Sequence, residues 1–170
     1  MPTFVLLLLA LLPAALASVV CFLAGYVTHA LWVGQLKHLP QEYLASLAMF
    51  TLEAAVTHAV LLGTPLFFAL HRLNWLRAWS CPLAGLVLAS LPKAIQSWPL
   101  RLAQPHVSVS MRLGDKMVQT VVNGVVTPAG WLEYARVIGI YAVLGAIGGL
   151  VFWLIWRRLR HRLEKLPASS

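Results

Sequence analysis

The chain has 170 residues, of which 60% are hydrophobic and only 11% charged, where a soluble domain has about a quarter of its residues charged. So few ionic groups cannot cover the surface of a water-soluble protein of this size, and the apolar residues come in blocks of about 20 or more, enough to cross a hydrocarbon core of about 30 Å. The net charge of +8 is concentrated in Arg157, Arg158, Arg160, Arg162 and Lys165 with no aromatic or glycine-rich pattern around them, so it reads as a topology signal touching phospholipid headgroups and not as a nucleic-acid site.

The first block covers about 4–33. Its opening, FVLLLLALLPAALAS, imitates the apolar region and cleavage site of a signal peptide. No positive residue precedes it, however, and the apolar run continues through VVCFLAGYV, so an uncleaved helix is expected. Pro13 should kink it, and Tyr26 and Trp32 should sit at the interface. A polar link holding Lys37, His38, Pro40 and Glu42 leads to the second block, about 44–70. That block is interrupted only by Glu53 and His58, and Pro65 should bend it near its end. The link HRLNWLRAW carries Arg72 and Arg77 beside Trp75 and Trp79. The third block, about 80–100, is the weakest, with Pro82, Pro92, Lys93 and Pro99.

Between 101 and 130 the pattern changes. Val107, Val109, Met111 and Leu113 alternate with Ser108, Ser110 and Arg112, a period of two. Gly114-Asp115 supplies a turn, MVQTVV follows, and Asn123-Gly124 is a strong tight-turn pair. A two- or three-stranded hairpin or meander is expected over about 106–127. Its strand edges cannot face lipid, and it is too small to stand without the helices. The fourth block, about 131–156, carries Gly139, Gly145, Gly148 and Gly149. Gly145 and Gly149 have the spacing that lets two helix backbones approach, either within the bundle or between two copies. A basic tail, 157–170, closes the chain. The expected fold is one all-α polytopic membrane domain of four transmembrane helices, with a small β element outside the membrane between the third and fourth.

Basic residues mark the cytoplasmic side. With four crossings, Arg72, Arg77 and the tail share one side, and Lys37, Arg101, Arg112 and Lys116 lie on the other. The bias puts both termini in the cytoplasm and the β-like loop outside. A bacterial inner membrane is the expected location.

Ionisable groups inside a membrane are costly and call for an explanation. At 1.5 Å per residue, Glu53 falls roughly 14 Å below the outer end of its helix, Lys93 roughly 9 Å, Arg136 roughly 8 Å and His29 roughly 6 Å. One hypothesis joins them: Glu53 pairs with Lys93 or Arg136, and His29 completes a polar layer under the loop. Such a layer either only satisfies buried charge or forms the floor of an ion- or proton-binding pocket. Alternatively Glu53 is alone and protonated, and Glu133 pairs locally with Arg136. His58 lies deeper and lacks a second histidine at its level, so haem is not expected. Glu53 and His58 diverge by about 140° around their helix, unlike a metal-binding HExxH pair. Cys21 and Cys81 are expected to be too far apart for a disulfide.

No serine-hydrolase elbow, phosphate-binding glycine loop or aspartate pair is present, and Asp115, the single aspartate, falls in a turn. The expectation is a protein without enzymatic activity, cofactor or metal. The layout of four helices and a basic tail resembles, in architecture, that of colicin-type immunity proteins. With catalytic and cofactor signatures absent, the expectation by elimination is a membrane protein that binds another protein, an immunity protein being one form, through the β-like loop, whose strand edges readily accept another strand and which presents Arg112, Asp115, Lys116 and Asn123. An accessory subunit of a membrane complex is a second form of the same reading. The alternative is a small oligomeric transporter using Glu53, His58 and Lys93. Besides lipid, the expected partners are another membrane or periplasmic protein and a second copy of the chain.

Overall fold

A computed structural model describes residues 3–32, 40–102, 106–113 and 116–164. In chain order the elements are α1 (Thr3–Trp32), α2 (Gln41–His58), a π-helical segment (Ala59–Gly63), α3 (Thr64–Arg72) and α4 (Ser80–Gln96). A 3-10 turn (Pro99–Leu102) follows, then β1 (Val109–Leu113), β2 (Lys116–Val122), β3 (Val125–Val126) and α5 (Pro128–Glu164). Among the described residues three helical stretches are long and apolar enough to cross a membrane: Val5–Trp32, Glu42–Arg72 and Pro128–Arg162. The third expected crossing is shorter than its sequence block. Its helix stops at Gln96, because Pro99 restrains the backbone ahead of it, and Ser97 closes the last turn by donating from both its amide and its hydroxyl to the Lys93 carbonyl. At 1.5 Å per residue α4 covers about 25 Å, less than a hydrocarbon core.

The last helix is longer than expected at both ends. Thr127 caps it: its hydroxyl accepts the Gly130 amide proton at 3.2 Å, and Pro128 fills the first helical position. At the other end the helix runs past Trp156 through the basic residues to Glu164, so most of the expected tail is helix, and Arg157 lies over the Trp153 ring at 5.4 Å. Residues 165–170 lie outside the described residues.

Pro13 lies within α1 without ending it. Pro65 has a clearer effect. Lacking an amide hydrogen, it cannot bond one turn back, and the turn before it widens into the π segment. The helix continues through this bulge, so 41–72 is one continuous rod. It ends in a Schellman cap: the Trp75 amide donates to Leu70 at 2.8 Å and the Asn74 amide to His71 at 3.1 Å, with Asn74 left-handed at φ 53°. Ser80, buried at the start of α4, accepts the Arg77 amide at 3.0 Å and donates to the Trp75 carbonyl, which fastens the link to the next helix.

α5 is the hub, packed most extensively against α4 and next against α1. Along the α4 seam the backbones touch. A methyl built on Gly85 would overlap the Gly145 carbonyl oxygen, one on Gly145 would stand 2.6 Å from the Ala89 Cβ, and one on Gly149 would stand 2.9 Å from the Pro82 Cα. On the α1 side, Ser18 donates to the Leu144 carbonyl at 3.1 Å, close against Gly148. The core lies at the end of the bundle where both termini gather. There Leu7, Ala10 and Leu11 of α1 and Phe67 of α3 meet Phe152 and Trp156 of α5. Phe67 contacts Trp156 edge-on at 4.7 Å between ring centroids.

The three strands form an antiparallel sheet in the order β1-β2-β3. Its register carries an irregularity between Val109 and Ser110, and Val121 of β2 faces Val126 of β3. Asn123 and Gly124 make the β2–β3 turn, both left-handed at φ 47° and 80°, the conformation a tight hairpin turn needs.

Candidate functional site

Two groups of residues are candidates, the outer sheet and the polar side chains of the helices. The sheet is held to the bundle where β2 meets the start of α5. Thr127 donates from its amide to the Thr120 carbonyl at 3.0 Å and from its hydroxyl to the Gln119 carbonyl at 2.8 Å. Gly130 lies so close to β2 that an added methyl would overlap the Thr120 carbonyl oxygen. Val121 is buried in this contact, and the Thr120 hydroxyl donates to the Val109 carbonyl at 3.1 Å, joining β1 to the same anchor.

Among the described residues β1 pairs with β2 on one side only, and no strand pairs with its other edge. Met111, Met117 and Val125 are exposed on the sheet. Of the four expected contact residues, Arg112 lies in β1 and Lys116 begins β2. Asn123 is exposed in the turn, with its amide donating to the Ser108 hydroxyl at 3.1 Å. Asp115 lies outside the described residues.

The structure does not bring the polar residues of the helices together. Arg136 is held by Glu133, one turn earlier on α5, in a two-pronged pair with both contacts at 2.7 Å. The Lys93 ammonium lies over the Tyr141 ring, 5.7 Å from its centroid. His58 is exposed and its Nδ1 is 2.7 Å from the Ala54 carbonyl oxygen. His29 is exposed near the end of α1. Glu53 is exposed on α2 and has no hydrogen-bond or ion-pair partner among the described residues. Cys21 and Cys81 are free thiols, the first exposed and the second buried.

One feature had no counterpart in the sequence reading. Trp98, Trp131 and Tyr134 form an edge-to-face cluster, with centroids 5.7 to 6.0 Å apart. The Tyr134 hydroxyl donates to the Ala94 carbonyl at 3.2 Å. Beside the cluster an open, mainly apolar groove of about 360 Å³ runs between Leu91, Ile95, Trp98, Arg101 and Tyr134. The tryptophans and tyrosine are legible singly as interfacial residues, but their clustering depends on how α4 and α5 cross. Gly145 and Gly149 face α4 within the chain, opposite Gly85 and Cys81; Gly85 itself has no near glycine on its own helix to flag it.

No family model matches the chain, and neither a curated protein nor a solved structure matches it.

Proposed function

We propose that the chain is a non-enzymatic integral protein of a bacterial inner membrane that acts by binding another protein, as a toxin-immunity protein or an accessory subunit of a membrane complex does. In this reading α4, extended by the links at its two ends, is the third of four crossings. Both termini are cytoplasmic, and the sheet stands on the outer face. The observation that carries the reading is the edge of β1 with which no described strand pairs, on a sheet anchored to α5 through Thr127. An unpaired strand edge readily accepts another strand, with side-chain contacts adding selectivity, and the exposed Met111 and Met117 provide adaptable apolar contacts beside it.

A photo-crosslinking residue at position 111, used in the native membrane, should give a discrete adduct with a separate protein. Replacing 106–127 by a short Gly-Ser linker should abolish the partner-dependent phenotype while membrane retention persists, whereas Glu53→Gln should leave that phenotype in place. No adduct, or a phenotype that survives the linker, would overturn the reading.

A further inference from the structure

The rod that begins with α2 is anchored unevenly. Its lower part is held: Gly63 abuts Leu11 of α1, and Phe67 is buried against α5. In its upper part, Met49 and Phe50 are among the most exposed large apolar residues of the chain, and Glu53 stands beside them with no partner among the described residues. A charged carboxyl facing lipid is costly unless it meets a cation or a proton.

Helix contacts give the height of Glu53. Ala14 and Ser18 of α1 lie against Gly148 and Leu144 of α5. Leu11, one turn below Ala14, is therefore about level with Val151, and so is Gly63. Glu53 lies about 15 Å further up its helix, level with Tyr141. On the α4 side, Gly85 meets Gly145. Lys93 is about 12 Å higher, and its ammonium reaches the Tyr141 ring. Among the described residues, Glu53 is thus an acid without a base and Lys93 a base without an acid, at one level. They lie on helices whose main neighbours differ, α2 packing on α1 and α4 on α5, and the rod touches α4 at its π segment. Lys93 is half-buried on the side of α4 that faces α5, so its flexible stem is what can bring the ammonium to the surface.

We propose that copies of the chain associate in the membrane through α2 of one and α4 of the next, with Glu53 of the first paired to Lys93 of the second. The complementary charge comes from the chain itself, and the Lys93 stem is long enough to swing its ammonium from the Tyr141 ring toward an incoming carboxylate. The inference rests on the membrane-spanning part of the proposed function and not on its partner protein.

The test is energy transfer between donor- and acceptor-labelled full-length protein in phosphatidylethanolamine–phosphatidylglycerol vesicles, with retention after alkaline extraction measured in parallel. Wild type should show transfer that rises with protein-to-lipid ratio. Glu53→Lys and Lys93→Glu should each weaken it at least tenfold. An equimolar mixture of the two should restore transfer between unlike copies, since each then supplies what the other lacks. Should the reversals hinder insertion, Glu53→Gln should still weaken association with retention unchanged. Three results overturn the proposal: wild type without transfer, Glu53→Gln associating like wild type, or restoration only when both reversals lie in one chain, which marks an internal pair. Loss of wild-type retention would instead overturn the membrane reading beneath it.

Discussion

Gly85 and Gly145 each lack a side chain where the other's backbone carbonyl passes, so a methyl on either meets main chain, which cannot swing aside. Overpacking of this kind costs about 1–3 kcal/mol. Gly85→Ala and Gly145→Ala should therefore each lower the unfolding midpoint in detergent, and Gly139→Ala should not, because nothing stands within 4 Å of the methyl it would add. Equal midpoints for all three variants would show that the α4–α5 seam is not the contact that holds these helices. Phe67 poses a second test at this scale. It is 3% exposed among His71, Phe152 and Trp156, and truncating a buried phenylalanine costs about 3–5 kcal/mol. Phe67→Ala should thus be the more damaging change, whereas Phe68→Ala, on the exposed side of the same helix, should be mild.

Among the elements, the hydrophobic blocks and the strand alternation were legible because each is a local pattern. The turn at Asn123-Gly124 was legible for the same reason: few residue pairs accept two successive left-handed conformations. The end of α4 was harder to read. The sequence between Gln96 and Leu100 stays apolar enough to pass for helix, and the break arises from Pro99 and the Ser97 cap. The opposite error occurred at the C-terminal end, where charge suggested a tail but nothing in Arg157 to Glu164 stops a helix. The polar layer was the least legible, since depth along a helix says nothing about which way a side chain faces. Glu133 reaches Arg136 by helical spacing alone, without any help from α2 or α4.

Thr127 ties the sheet to α5 and is a second element-level test. Its hydroxyl both caps the helix and bonds β2. Thr127→Val keeps the shape and removes both bonds, and losing a cap of this type costs about 0.5–2 kcal/mol. The variant should be cleaved faster within 106–127 by added protease, with the helical signal unchanged. Thr127→Ser should behave like wild type. Unaltered cleavage in Thr127→Val would show that the Gly130 and Val121 packing suffices to hold the sheet.

For the whole molecule, the governing question is where the bilayer lies, and α5 gives a ruler. Arg136 and Arg157 bracket an uncharged stretch from Val137 to Trp156. That stretch is about 30 Å long at 1.5 Å per residue, the thickness of a hydrocarbon core. The Glu133–Arg136 pair then falls at the upper boundary, where its 57% exposed arginine meets headgroups and water. Val143 is 60% exposed inside the bracket and Leu132 is 73% exposed outside it. In water the two sites are equivalent, and an arginine at either changes little. In a membrane they differ, since an arginine near the centre of a crossing helix costs about 2.5–3.5 kcal/mol on insertion scales. Val143→Arg should sharply reduce the fraction retained after alkaline extraction, and Leu132→Arg should leave it near wild type. Equal retention would mean that the bracket does not mark the bilayer. Loss confined to Leu132→Arg would shift the embedded stretch toward the start of α5, bringing the Glu133–Arg136 pair into the lipid.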